Sequence, residues 1–207
     1  MEFLRKTITA AAVLFLLSGV SFGQDNTAIL KAFESSYTYE AYGEYNKAIE
    51  GLKKVYDEKS YEMNLRLGWL YYLSGAFTDS HTHYQRAMSI MPASEEAKFG
   101  DVYPAAALGK WDVVAGLYQK IIEISPNNTT ANYKLGMIYY GQGNYQKASE
   151  RFDVVINMYP FGYDGLIMAA WTNLKMGKIK EAKILFNKVL MLSPNDASAL
   201  EGLKTIK

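Results

Sequence analysis

Residues 129–162 read TTANYKLGMIYYGQGNYQKASERFDVVINMYPFG. Tyr133, Gly136, Tyr139 and Tyr140 recur at three- and four-residue steps ahead of Gly143, and Ala148, Phe152 and Val155 do the same behind it. Such steps place side chains on one face of a helix, so the stretch predicts two helices with a glycine turn between them. The punctuation then repeats. Pro92, Pro126, Pro160 and Pro194 stand 34 residues apart, as do Gly75, Gly109, Gly143 and Gly177, with Gly43 preceding them by 32. Proline and glycine are the residues that stop helices, and a fixed period in both marks a structural repeat built from helical hairpins. A lone hairpin cannot bury both of its helices, so neighbouring hairpins must share a core and the last one needs a cover.

In this 34-residue frame the chain resembles the tetratricopeptide repeat family. One copy supplies Leu67, Gly68, Tyr71, Gly75, Tyr84, Ala87 and Pro92; another supplies Leu135, Gly136, Tyr139, Gly143, Tyr145, Ala148, Phe152 and Pro160. The resemblance implies an all-α, right-handed solenoid of five hairpins, at 29–60, 61–94, 95–128, 129–162 and 163–196. A capping helix follows at 197–207, with Leu200 and Leu203 covering the last repeat. In each hairpin the first helix, A, meets the second, B, through small side chains: Gly68, Gly136 and Ala170 on A, opposite Ala48, Ala148 and Ala182 on B. Phe152 and Phe186 fill the space one turn on. The third repeat departs from the pattern, with Val102 and Val114 at the small positions and Pro104 inside helix A. A proline there removes a backbone hydrogen bond and crowds residue 100, so a kink or break is expected near 100–104, eased by Gly100.

The first 23 residues read as a secretory leader and residues 24–207 as the repeat domain. Arg5 and Lys6 precede an uncharged run whose apolar heart, Ala10 to Leu17, is far shorter than the ~20 residues a membrane-spanning helix needs. Ser21 and Gly23 flank Phe22 in a small-x-small cleavage pattern, placing the cut before Gln24. With no cysteine in the chain, a lipid-anchored form, disulfides and thiolate metal sites are excluded. The expectation is a soluble exported protein, most simply in a bacterial periplasm. The net charge of +1 comes from 22 basic against 21 acidic residues, and removal of Glu2, Arg5 and Lys6 leaves the two signs equal. That balance gives no electrostatic footprint for nucleic acid.

Nothing in the sequence assembles a catalytic constellation. There is no phosphate-binding glycine loop, nucleophile elbow or metal-binding histidine pair. His81 and His83 are two apart on a predicted helix, where neighbours diverge, and both read as solvated surface groups. Neither an enzyme activity, a metal nor a cofactor is expected. The Lys175 to Lys188 lysines read as an ordinary solvated face.

The aromatic excess is more telling: 17 tyrosines, 9 phenylalanines and 3 tryptophans must be placed. The resemblance implies that positions 5, 9 and 12 of helix A face a concave groove. Those positions hold Phe33 and Tyr37; Leu65, Trp69 and Tyr72; Phe99 and Tyr103; Tyr133, Met137 and Tyr140; and Ile167, Trp171 and Leu174. They predict a nearly continuous apolar stripe for a peptide or protein segment, although residues at this spacing also suit packing between successive A helices. The lysines and asparagines of a C-terminal carboxylate clamp are missing from positions 5 and 9. The function that follows is a non-enzymatic interaction scaffold acting in envelope assembly or secretion. Self-association into a homo-oligomer, or carriage of a lipid or small molecule in the same groove, are the alternatives.

Overall fold

The computed structural model describes residues 22–206, all of its regular structure helical. Eleven helices follow one another among these residues: α1 (Phe22–Ala41), α2 (Tyr45–Lys53), α3 (Tyr61–Leu73), α4 (Phe77–Ile90), α5 (Glu95–Ala107), α6 (Trp111–Ile124), α7 (Thr129–Gly141), α8 (Tyr145–Met158), α9 (Tyr163–Lys175), α10 (Ile179–Leu192) and α11 (Ala197–Thr205). The leader expected over residues 1–23 lies outside the described residues as far as residue 21, and Phe22 and Gly23 open α1. Among the described residues no helix is long and apolar enough to cross a membrane.

The A–B turns are identical in chemistry. Gly43, Gly75, Gly109, Gly143 and Gly177 all have φ between 70° and 81°, the left-handed region that only glycine enters without strain. In each, the glycine N–H bonds three residues back and the next N–H bonds five residues back, as Gly75 to Tyr72 O (3.0 Å) and Ala76 to Tyr71 O (2.9 Å). This is the Schellman arrangement, which satisfies carbonyls that a helix end leaves open. At the other junction α3, α5, α7 and the terminal α11 are capped by side chains: Ser60 accepts from Met63 N, Ser94 from Ala97 N, Asn128 from Ala131 N and Asp196 from Ala199 N, whereas α9, preceded by Gly162, has no such bond.

The chain divides into two compact units, the first through Pro92 and the second from Ala93. In the first, hairpins α1/α2 and α3/α4 enclose Ala48, Ile49, Leu52, Leu67 and Leu70. A charged cluster ties α1 to α3. The buried Arg66 guanidinium pairs with Glu40, donates to Ser36 Oγ (3.0 Å) and lies 3.9 Å from the centre of the Tyr37 ring, while Trp69 Nε1 donates to the other Glu40 oxygen (2.7 Å). In the second unit, α5/α6, α7/α8 and α9/α10 are followed by α11, and a core containing Phe152, Leu166, Phe186 and Val189 runs from α8 to α11.

Several local expectations change. Aromatic rings stand nearest to two glycines of the A helices: a Cβ on Gly136 would stand 2.8 Å from the Phe152 ring, and one on Gly68 3.0 Å from Tyr84. Ser80, at the alanine position of its hairpin, donates to Gly68 O (2.7 Å). The expected break at Pro104 does not occur. α5 continues through it to Ala107, with Pro104 buried and its own carbonyl accepting from Leu108 N (3.0 Å). In the cap, Leu203 packs on the core but Leu200 is exposed; Ala199 and Gly202 are the buried residues, and Gly202 sits directly over Phe186.

His83 is not a solvated surface group. Its ring stacks on Tyr71 (5.3 Å between centroids, 13° between planes), meets Tyr56 edge-on, and places Nδ1 3.0 Å from Asn64 Oδ1. Burial, with help from the Arg86 charge, holds its pKa down at about 4.

Candidate functional site

The residues of the anticipated stripe have different fates. In the first unit Phe33 packs onto the core, Leu65 and Tyr72 are half-buried, and Trp69 is held by its bond to Glu40. Tyr37 is exposed on one side and carries Arg66 on the other. In the second unit Ile167 is buried in the core, with Trp171 and Leu174 packed against it. The Trp171 ring meets Phe186 edge-on at 5.3 Å and its Nε1 donates to Ser198 Oγ (2.8 Å), so it locks the cap to α9. Tyr140 also packs on that core and meets Tyr145 edge-on at 5.4 Å.

Phe99, Tyr103 and Met137 remain, and the fold gathers them around one cavity of about 390 Å³. α5 contributes Phe99, Val102 and Tyr103; α6 contributes Trp111, Val114 and Tyr118; α7 contributes Met137, Ile138, Thr130 and Lys134. Lys134 is its sole charged lining residue. The cavity opens at the hairpin whose small–aromatic contact is replaced by Val102 and Val114, both buried. Tyr103 and Trp111 keep more than half of their surface exposed, while Tyr118 is buried edge-on to Phe99 at 6.3 Å. Burial raises the Tyr118 pKa, the nearby Tyr103 adding to it, so the Tyr118 phenol keeps its proton at neutral pH. Two large, partly wet rings over an apolar floor form a recess for an apolar side chain.

A second cavity, of about 410 Å³, lies on the other flank of α7. Tyr133, Tyr159, Tyr163 and Asp164 line it, and Thr130 and Lys134 border both cavities. Lys134 Nζ stands 5.9 Å from the centre of the Tyr133 ring. Burial and then the Asp164 charge raise the Tyr133 pKa, and Tyr163 donates to Asp196 Oδ2 (2.7 Å). Of the anticipated residues Tyr133 alone reaches this cavity. Trp111 and Lys134 escaped the sequence reading. A large apolar residue opens every B helix after the first at the 34-residue step, as Phe77, Trp111, Tyr145 and Ile179, and that period was the available signal. Among the described residues no cluster of His, Asp and Glu could hold a metal ion.

Tetratricopeptide repeat models match residues 117–148 and 163–196. Those two segments are tetratricopeptide-like. A tetratricopeptide repeat-containing protein of Bacillus subtilis, YpiA, is 26% identical over 186 residues; the match takes in 88% of this chain but only 44% of that protein, so the chain spans less than half of its length. A crystal structure of a tetratricopeptide repeat protein from Parabacteroides merdae superposes with a TM-score of 0.72 at 20% identity, over 87% of this chain and 72% of that one. YrrB, described as having an unusual peptide-binding site, superposes with a TM-score of 0.69 at 15% identity, over 91% of this chain and 97% of that one. These structures share the all-α repeat fold.

Proposed function

We propose that this protein is a non-catalytic interaction scaffold that receives a peptide or protein segment on the second unit, with its apolar anchor in the cavity between α5, α6 and α7. The single observation that carries this reading is that cavity, where Tyr103 and Trp111 stand exposed over Phe99 and Met137. Exposed aromatics of this size beside a preformed recess are the residues that dominate binding energy at interfaces. The peptide-binding site described for YrrB, a protein of the same fold, supports the reading. The other residues of the anticipated stripe serve as flanking contacts or, like Trp171, as internal packing. The leader pattern of residues 1–23 supports work outside the cytoplasm, in envelope assembly or secretion; mass spectrometry of the native protein starting at Gln24 tests that part.

The test of the site is direct. Peptides selected on the purified protein from a random library are titrated by fluorescence polarisation against wild type, Tyr103→Ala and Trp69→Ala. Loss of an anchor of this kind weakens binding by roughly 30-fold, corresponding to ~2 kcal/mol. Trp69→Ala leaves binding unchanged. Equal binding by wild type and Tyr103→Ala refutes the placement.

A further inference from the structure

The two cavities of the second unit share a wall, and their chemistry differs. On one flank of α7 the recess is largely apolar; on the other, Tyr133, Tyr159 and Tyr163 line the cavity together with Asp164. Between them Lys134 is exposed, and no carboxylate among the described residues pairs with it. The lining thus passes from an uncharged recess, through Lys134 on the shared wall, to Asp164 in the second cavity. Tyrosine faces beside a carboxylate attract a cation, most of all a guanidinium that stacks as well as pairs.

We propose that the two cavities form one cradle for an extended peptide with a bulky apolar residue in the α5–α7 cavity, a carboxylate on Lys134 and a basic side chain among Tyr133, Tyr159, Tyr163 and Asp164. The spacing follows from the helix. Thr130 and Lys134 line both cavities, so the two adjoin on neighbouring faces of α7, at a separation on the scale of a helix width, about 10 Å. An extended segment at about 3.1 Å per residue covers that in three residues, and in the polyproline II form residues three apart share a face. The preferred pattern is thus apolar–acidic–any–basic, with the carboxylate on a side chain inside the segment. This rests on the scaffold reading above and specifies its partner.

The probes are the capped peptides Leu-Asp-Ala-Arg and Arg-Ala-Asp-Leu, one for each chain direction, with charge-swapped controls Leu-Lys-Ala-Glu and Glu-Ala-Lys-Leu. Two-dimensional NMR of the full protein reports the Trp111 indole N–H for the first cavity and the Gly162 and Gly165 amides for the second. One of the first pair moves both sets of signals along a single saturation curve and binds at least about fivefold more tightly than its control, the range of two exposed charge contacts. Lys134→Glu, an exposed change that leaves the fold intact, abolishes or inverts that preference. If all four peptides shift Trp111 alike and leave Gly162 and Gly165 unmoved, the cradle is wrong while the apolar site stands. If Trp111 does not move with any peptide, both readings fall. Shifts of the same signals on concentrating the protein alone, with dimer in sedimentation, would assign the face to a second copy and overturn the peptide cradle.

Discussion

Replacing glycine by alanine should change sign along this chain according to what the new methyl meets. In a helix interior the exchange is worth about 1 kcal/mol in favour of alanine. Gly116, exposed in α6 with nothing within 4 Å of its would-be Cβ, should show that gain, of about 0.5–1 kcal/mol. At Gly136 the methyl would stand 2.8 Å from the Phe152 ring, which is fully buried and has no free side to move toward. Overpacking of this kind costs roughly 1–3 kcal/mol and offsets the propensity gain, for a net loss of up to about 2 kcal/mol. Gly202 is worse, since its Cβ would lie 2.2 Å from Cζ of Phe186, so the cap must lift or the ring must move. Gly68, with contacts at 3.0 Å, should fall near zero. Urea denaturation followed by circular dichroism should rank the variants 116, 68, 136 and 202 from most to least stable. A Gly136→Ala protein as stabilised as Gly116→Ala would refute the close ring-over-glycine packing.

Two further perturbations test the first unit. Glu40→Ala strands the buried Arg66 cation, whose Nη2 already lacks a partner, and should cost about 3 kcal/mol in urea titration; Arg66→Met, which removes the charge and keeps apolar bulk, should cost clearly less. The reverse order would mean that the ion pair is solvated. For His83, the folded pKa of about 4 lies below the ordinary 6.5, so the folded state prefers the neutral ring. Its contribution is intact above pH 6.5 and declines as pH falls toward about 4, where the unfolded chain takes up a proton the folded one refuses. With screening of the incompletely buried ring, the loss is about 1–2 kcal/mol. Stability at pH 7 minus stability at pH 4.5 should be larger for wild type than for His83→Gln; equal differences would contradict the buried placement.

The hairpin architecture was legible because the residues that stop helices repeat at a fixed step, and turn chemistry at Gly75 or Gly143 depends on local backbone alone. Contacts across the fold were less so. Asn64, Lys98 and Asn132 occupy one repeat position and reach back to carbonyls around the preceding turn, such as Ser60 O, Ser94 O and Asn128 O, yet in sequence they look like surface residues. His83 was misread for the same reason, since its partners Tyr56 and Asn64 come from elsewhere in the chain. At the site, the helix A positions that the family resemblance implies included Phe99, Tyr103 and Met137 without distinguishing them from Ile167 and Trp171, which hold equivalent positions and pack inward. The difference lies in what covers each A helix: α11 covers α9, whereas the α5–α7 recess stays open. Pro104 shows the limit of propensity, because it is buried in the packed α5, which runs on through it to Ala107.

The central claim is that the α5–α7 cavity holds the ligand's apolar anchor. A crystal structure of the protein with a library-selected peptide tests it most directly. The account predicts a bulky side chain seated between Trp111 and Met137, with Tyr103 closed over it; a peptide bound elsewhere while that cavity stays unfilled would contradict it.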